Sequence, residues 1–236
     1  MFMMQNNPRT PIVLLLFTLL AAGHAEAQDG RTSFASYSRF VSKVFGISWN
    51  KPKGFTDLHT DKYWKPNNSK TSTLHYNFLF RSEEGDCIVM YPDISTLYFP
   101  LQAPKTLDTK HLIAGDLGLS GQSEEVEHGM EKRQVVTLKC ENSKKCIFNA
   151  DTVYICNLPL AIPYDGKYAH CTGIYVCKKN RPALYFKCFF TNEGEKKKSE
   201  YIRRLSKAVG YRKKDWTYNN EQSGKEYYRL YIERHR

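Results

Sequence analysis

The chain has 236 residues, of which 41% are hydrophobic, and a formal net charge of +11 at pH 7. This length is within reach of a single domain, and no internal repeat or low-complexity tract divides the sequence. In a cytosolic protein the charge would favour a nucleic-acid partner. The export signal described next excludes that partner and favours an anionic surface or a glycan outside the cytosol.

The N-terminus has the three parts of a secretory signal peptide. Met1–Pro11 is polar with one cation, Ile12–Ala22 is almost wholly apolar, and Ala25–Ala27 has the form of a cleavage site. The apolar run is shorter than the roughly 20 residues that a membrane-spanning helix needs. We therefore predict a signal peptide over residues 1–27, a single domain over residues 28–236, no transmembrane segment, and a secreted or periplasmic location.

The first predicted helix follows the signal peptide. Its apolar residues recur at helical spacing: Phe34, Tyr37, Val41, Val44 and Phe45. Thr32 or Ser33 is suited to cap the start of this helix, and Gly46 is suited to end it. A short strand, Ile47–Trp49, and a turn, Lys51–Gly54, are predicted to follow.

The segment Gly46–Phe55 places a short strand before a Pro-x-Gly-aromatic turn. It resembles the opening of exported α+β domains similar to the lumenal extrinsic proteins of photosystem II. The resemblance implies a sheet with helices packed on it, in a superfamily of binding and assembly proteins rather than enzymes. Ten residues carry it, and no functional residue is transferred by it.

A hairpin and an irregular segment are predicted in the middle of the chain. Alternating apolar residues from Leu74 to Phe80 predict one strand, and Cys87–Tyr91 predicts the return strand after a turn at Glu83–Asp86. Residues 92–127 contain several Pro and Gly residues and are predicted to form a long loop. Because long loops in compact domains are often functional, we expect any binding site there first. Aromatic residues near loops suit a glycan ligand, and they equally suit strands and cores.

Residues 131–232 are predicted to form the centre of the domain. The expected strands are 133–140, 152–156, 171–178 and 183–190. Asn192 and Glu195 have the spacing of a capping box, and the helix after them is expected to end at Gly210. Alternation of Tyr228, Leu230 and Ile232 predicts a last strand. The fold class is therefore α+β: an antiparallel or mixed sheet of about seven strands, with one helix near each end of the chain packed on it.

Seven cysteines in an exported chain predict disulfide bonds, and the odd number leaves one thiol over. The three pairs expected are Cys140 with Cys146, Cys171 with Cys188, and Cys156 with Cys177. The second pair requires a register that places both side chains on one face of the sheet. Cys87, distant in sequence from the rest, is the expected free thiol.

The C-terminal half of the chain contains a positively charged helix face. At helical spacing, five cations lie opposite Tyr201 and Leu205: Lys196, Lys197, Arg203, Arg204 and Lys207. We call these five residues the cationic strip. They are candidate binding residues for an anionic polymer or membrane surface. They also suit an ordinary solvated face, in which Glu200 pairs with Arg204 one turn away.

No motif in the sequence predicts a catalytic residue, a metal site or a cofactor. Cys87 with His75 is the only nucleophile and base pair with a rationale, because the two could face each other across the first hairpin, and a lone cysteine in an apolar run is typically inert. Convergence of His75 or His128 on Cys87 in a pocket would favour an enzyme. The sequence thus favours a non-enzymatic binding or assembly protein of the cell envelope or secreted fraction. The alternative is a secreted hydrolase or thiol enzyme whose residues meet only in the fold.

Overall fold

The computed structural model describes residues 33–58, 62–64, 74–92, 109–119, 121, 123–140, 146–212 and 216–234. The predicted signal peptide, residues 1–27, lies outside the described residues, as does much of the predicted loop.

Six helices and ten strands are present in the described residues. The helices are α1 Phe34–Phe45, α2 Thr109–Leu117, α3 Ser123–Lys132, α4 Asn192–Lys196, α5 Lys198–Ala208 and α6 Asn220–Arg234. The strands are β1 Ile47–Trp49, β2 Phe55–Asp57, β3 Lys62–Trp64, β4 Leu74–Ser82, β5 Cys87–Pro92, β6 Val136–Lys139, β7 Thr152–Leu158, β8 His170–Cys177, β9 Leu184–Phe190 and β10 Val209–Tyr211. A 3₁₀ turn spans Ile147–Asn149.

The main sheet is antiparallel throughout. Seven strands follow one another in the order β2-β4-β5-β9-β8-β7-β6, and β3 pairs with the outer part of β4. The short strands β1 and β10 form a separate antiparallel pair. The predicted α+β class and the antiparallel sheet are confirmed. The helices, however, are distributed along the chain rather than placed one near each end.

Helices cover both faces of the sheet, and neighbouring residues of β9 mark the two faces. On the Phe186 face the sheet packs against α1, α5, α6 and the β1–β10 pair. On the Lys187 face it packs against α2 and α3. Because successive strand residues point to opposite sides, Phe186 and Lys187 enter different cores. The central strand β9 is buried along its whole length.

The aromatic packing is concentrated on the Phe186 face. The Phe186 ring lies 5.2 Å from Tyr91, 5.7 Å from Trp49 and 6.2 Å from Phe148, measured between ring centroids. Edge and stacked contacts at these distances add to the stabilisation that burial of the rings provides. This packing holds β1 in place, and it therefore also positions the turn that follows β1 at the surface.

Helix α1 begins and ends as the sequence predicts. Ser33 accepts a hydrogen bond from the backbone N–H of Ser36, and Gly46 adopts a left-handed conformation with φ of 60°. Arg181 then donates to the carbonyl oxygens of Phe45 and Gly46, at 2.8 and 3.0 Å. A cation at the carbonyl end of a helix is favourable, so α1 is held firmly against the sheet.

The predicted last strand is wrong, because residues 220–234 form helix α6. Leu230 and Ser223 are buried, seven positions apart, and the Tyr227 ring lies 6.3 Å from Phe40 of α1. Positions 223, 227 and 230 have helical spacing, while Tyr228 is largely exposed. Aromatic residues are so dense in this segment that they satisfy the alternating pattern as well as the helical one.

The prediction of an irregular segment over residues 92–127 is wrong for the second half of that range. Helix α2 lies there, and α3 begins there. Residues 93–108 lie outside the described residues. After α3, β6 is shorter than the predicted strand, and its four residues are exposed at the edge of the sheet.

Two helix ends also differ from the predictions. Thr191, rather than Asn192, caps α4, since its side chain accepts a hydrogen bond from the Gly194 N–H. Gly210 lies within β10 instead of ending α5. A Cβ atom at Gly210 would lie 2.7 Å from the backbone oxygen of Phe148, so close approach of two backbones explains the glycine.

One of the three predicted disulfide bonds is present. Cys140 and Cys146 are bonded, with their Cα atoms 5.8 Å apart, which confirms that pair. The predicted Cys171–Cys188 bond is wrong, because Cys171 lies opposite Phe189 and the two sulfurs point to opposite faces of the sheet.

The predicted Cys156–Cys177 bond is also wrong. Cys156 lies opposite Gly173, four residues along β8 from Cys177, a separation of about 13 Å along the strand. A disulfide requires Cα atoms within about 7 Å. Cys87 is free as predicted, but four other described cysteines are free as well: Cys156, Cys171, Cys177 and Cys188.

Candidate functional site

The cationic strip is largely neutralised by neighbouring carboxylates. Lys196 pairs with Glu193 at 2.7 Å, and Lys197 pairs with Asp86 at 3.1 Å. The hydrogen bond that Lys197 donates to Asp86 raises the pKa of Lys197, as a favourable partner does. Arg203 is exposed on α5 and lines neither of the grooves described below. The strip therefore does not form a continuous positive surface.

The last two strip residues, Arg204 and Lys207, line an open groove that we call the Lys207 groove. Its volume is about 690 Å³, and three segments form it: the turn after β1, the β4–β5 turn and the end of α5. The lining residues are Asn50, Lys51, Lys53, Gly54, Glu83, Glu84, Arg204, Lys207 and Ala208. The groove thus brings lysines distant in sequence to one place.

Backbone contacts hold the two turns of this groove together. Gly54 has φ of 76°, and its carbonyl oxygen accepts a hydrogen bond from the Glu83 N–H at 2.9 Å. A Cβ atom at position 54 would approach the Arg204 guanidinium to 3.1 Å. Glycine therefore serves both the left-handed turn and the close approach of the arginine.

Asn50 is fixed between the turn and helix α5. Its backbone N–H and its side-chain amide both donate to the carbonyl oxygen of Ala208, each at 3.2 Å. Its own carbonyl oxygen accepts from the Tyr91 hydroxyl at 2.8 Å. The floor of the groove is thereby connected to the aromatic core of the Phe186 face.

Charge in the Lys207 groove is of two kinds. Arg204 is held in place by Glu84 at 3.1 Å and Glu200 at 2.6 Å, and the Glu200 hydrogen bond raises the pKa of the guanidinium. In contrast, the exposed residues Lys51, Lys53 and Lys207 form no ion pair with any carboxylate of the described residues. Three of the four cations in the groove are therefore available to an anionic ligand.

A second, smaller groove lies beside the first and shares Asn50 with it. This Arg212 groove has a volume of about 280 Å³ and is lined by Ala35, Ser38, Arg39, Ser42, Lys43, Ser48, Trp49, Asn50 and Arg212. Arg212 donates to the Ser48 hydroxyl at 2.7 Å, and Lys43 pairs with Glu226 at 3.0 Å. The Trp49 indole N–H is buried and has no hydrogen-bond partner among the described residues.

We call the two grooves together the Asn50 surface. Its lining includes seven cations and two carboxylates, with three serine hydroxyls in the smaller groove. Sequence reasoning found only Arg204 and Lys207, because it interpreted Lys51–Gly54 solely as a turn. The signal it missed is the alternation of lysine with proline and glycine, which places two cations on one exposed turn.

The thiol pair considered from the sequence is not assembled. Cys87 is buried beside Ser82 at the turn end of the first hairpin, whereas His75 lies near the other end of β4, about 20 Å away along the strand. Burial raises the pKa of the Cys87 thiol well above its usual value, which disfavours the nucleophilic thiolate. His128 is exposed on α3, on the opposite side of the sheet.

The loop predicted over residues 92–127, where any binding site is expected first, is not a loop where the structure describes it, since α2 and α3 occupy that part. In the described part of the chain, no cluster of three His, Cys, Asp or Glu side chains is placed to hold a metal ion. None of the described helices combines the length and apolar character that crossing a membrane requires.

Comparison with protein-family models, with curated proteins and with solved structures found no match to the chain. The resemblance of Gly46–Phe55 to lumenal extrinsic proteins therefore stays a prediction, and the functional argument depends on the geometry of the Asn50 surface.

Proposed function

We propose that the chain is an exported, non-enzymatic binding protein whose Asn50 surface holds an anionic glycan. The observation that carries the proposal is the set of three exposed lysines, Lys51, Lys53 and Lys207, around one groove without a described carboxylate partner. In contrast, Lys196, Lys197 and Arg204 of the cationic strip are each paired with a carboxylate. Unpaired positive charge in a concave site attracts anions and concentrates the field there.

The shape of the Asn50 surface favours a polymer over a single small anion. Two grooves meet at Asn50, and cations line both of them. A chain of sulfated or carboxylated sugars can contact several cations at once, and each contact adds to the affinity. Arginine guanidinium groups such as that of Arg212 match the planar carboxylate and the sulfate group through paired N–H donors.

The smaller groove supplies the neutral hydrogen-bonding groups that a sugar requires. Ser38, Ser42 and Ser48 contribute hydroxyl groups to its lining. The Ser38 and Ser48 hydroxyls donate to the backbone oxygens of Trp49 and Ala208, which holds their oxygen atoms in place. A groove lined by cations and hydroxyls suits an anionic ligand that carries hydroxyl groups, which supports the proposed binding function.

The test uses heparin, a sulfated polysaccharide, as the probe. The groove variant is K51Q/K53Q/K207Q, and the matched control is K132Q/K139Q/K179Q, which removes the same charge from exposed lysines away from the Asn50 surface. We expect the groove variant to lose about 1–2 kcal/mol of binding free energy, close to tenfold in affinity, and to elute from immobilised heparin at lower salt. The control should elute near the wild type.

Equal losses for the groove variant and the control would overturn the proposal, because they would indicate binding by net charge alone. Vesicles containing anionic phospholipid serve as a second probe. Tighter groove-dependent binding to vesicles than to heparin would replace the glycan by a lipid headgroup as the partner.

A further inference from the structure

A second set of charged residues lies buried on the Lys187 face, outside the Asn50 surface. Lys187 is fully buried on the central strand β9, and Asp116 of α2 is 5% exposed. The Lys187 ammonium nitrogen contacts Asp116 Oδ2 and lies 2.9 Å from the Tyr175 hydroxyl. The Tyr175 hydroxyl also donates to Asp116 Oδ2. Three polar side chains thus meet in direct contact within an apolar core.

A glycine in the neighbouring strand β8 makes room for this arrangement. Gly173 lies opposite Lys187 in the β8–β9 pairing, two residues before Tyr175 on the same face. A Cβ atom at Gly173 would lie 2.8 Å from both the Tyr175 ring and its hydroxyl. The absence of a side chain therefore lets the Tyr175 ring lie across the strand and bring its hydroxyl to Lys187.

Helix α2 covers the site on the Lys187 face of the sheet. Ile113 and Leu117 of α2 pack with Met90, Tyr185 and other residues of the same core. Burial lowers the pKa of Lys187 well below its usual value, because a dry environment penalises the ammonium form. The same dry environment favours an uncharged pair, an amine and a carboxylic acid, over an ammonium and a carboxylate.

We propose that Lys187 and Asp116 are joined by an isopeptide bond. The lone pair of the uncharged Nζ attacks Cγ of the protonated Asp116, the bond from Cγ to one carboxyl oxygen breaks, and that oxygen leaves as water with one proton from the amine. The amine loses one hydrogen and the acid loses its hydroxyl, so the step consumes no oxidant and no cofactor. Fixed contact of this kind corresponds to effective concentrations of about 10⁵ M or more.

Tyr175 has a defined part in this step. Its hydroxyl donates to the carboxyl oxygen Oδ2, which withdraws electrons from Cγ, and it lies within reach of the amine proton that must leave. The apolar residues around the site exclude bulk water, so the amide is protected from hydrolysis once formed. The bond would tie α2 to the central strand across 71 residues of chain.

The direct test is a tryptic digest of the purified, reduced full chain analysed by mass spectrometry. Trypsin does not cleave after an acylated lysine, so the linked product contains residues 111–132 joined to residues 180–196 with Lys187 uncleaved. We expect this product at a mass one water below the sum of the two peptides. Recovery of the separate peptides 180–187 and 188–196, produced by cleavage after Lys187, would overturn the proposal.

A D116N variant provides a second, sharper test. Asparagine at this position loses ammonia instead of water, so the linked product of D116N should have the same mass as that of the wild type. Without the bond, the two proteins differ by the replacement of a hydroxyl by an amino group. Equal intact masses after complete reaction support the bond, and the hydroxyl-to-amino difference contradicts it.

A Y175F variant separates the chemistry from mere contact. Both reacting groups remain, but the donor to the carboxyl oxygen is lost, so the linked fraction should form more slowly after refolding. A K187M variant should lack the linked product altogether, and its presence there would show that another lysine reacts.

Discussion

The two faces of the central sheet use positive charge in opposite ways. At the rim of the Phe186 face, Lys51, Lys53 and Lys207 lie in water around an open groove with no described carboxylate partner. On the Lys187 face, one lysine lies in a dry core with a carboxylate and a phenol in contact with it. The same residue type is thus a binding group in one place and a chemically altered amine in the other. Burial and partners, rather than residue identity, decide which.

The largest expected difference between the two faces is the stability lost when the carboxylate partner of a lysine is removed. Asp116→Ala removes the link between α2 and β9 and leaves the buried Lys187 amine without its partner, and we expect the free energy of unfolding to fall by about 3–5 kcal/mol. Glu193→Ala, which removes the partner of the exposed Lys196, should cost less than about 1 kcal/mol. Urea unfolding of both variants measures the two values. Similar small losses would mean that the Lys187 site is not dry.

Alkaline pH should affect the two faces alike, because each contains a buried thiol. Burial raises the pKa of Cys188, on the Phe186 face, and of Cys156, on the Lys187 face, from 9.0 to about 12 in each case. The folded protein therefore keeps both protons where the unfolded chain releases them, and stability is lost as the pH rises from 9 toward 12.

Each thiol should contribute a loss of about 1.4 kcal/mol for each pH unit in that window. Urea midpoints measured from pH 8 to pH 11 test the slope, and Cys188→Ala should reduce it by the share of one thiol. A slope that does not change in Cys188→Ala would assign the alkaline loss to other groups, such as the buried tyrosines.

At the rim of the Phe186 face, two glycines should respond in opposite ways to substitution by alanine, because only one of them packs closely against another backbone segment. A Cβ atom at Gly194 of α4 would lie 2.1 Å from the Asp86 backbone oxygen, so Gly194→Ala should cost about 1–3 kcal/mol. Gly224 in α6 has open space around its Cβ position, and Gly224→Ala should instead stabilise by about 0.5–1 kcal/mol. Thermal unfolding of the pair checks both signs. Stabilisation by Gly194→Ala would mean that α4 does not approach the β4–β5 turn this closely.

The sequence predicts the strands near the centre of the sheet well, because their apolar pattern is local. Residues 171–177 and 184–190 are buried almost throughout and are bounded by turn residues, so their pattern permits one interpretation. The pattern of residues 220–234 fits both a strand and a helix, and the contact with α1 favours the helix. Asn219 accepts a hydrogen bond from the Gln222 N–H, which is a capping signal that the sequence contained.

The candidate site was only partly predictable, since it depends on contacts across the chain. Helical spacing identified Arg204 and Lys207, but the carboxylates that neutralise Lys197 and Arg204 include Asp86 and Glu84, more than a hundred residues away. The disulfide prediction failed for a related reason. A one-residue difference in register moves Cys171 to the opposite face from Cys188, and register is set by the whole sheet.

The salt dependence of heparin binding tests the central claim most directly. The affinity falls with salt in proportion to the number of cations that contact the polyanion. The groove variant K51Q/K53Q/K207Q should lower the slope of log affinity against log salt by about 2 to 3 units. The strip variant K196Q/K197Q/R203Q, with the same change in charge, should leave the slope unchanged. A reduced slope for the strip variant together with a wild-type slope for the groove variant would contradict the account.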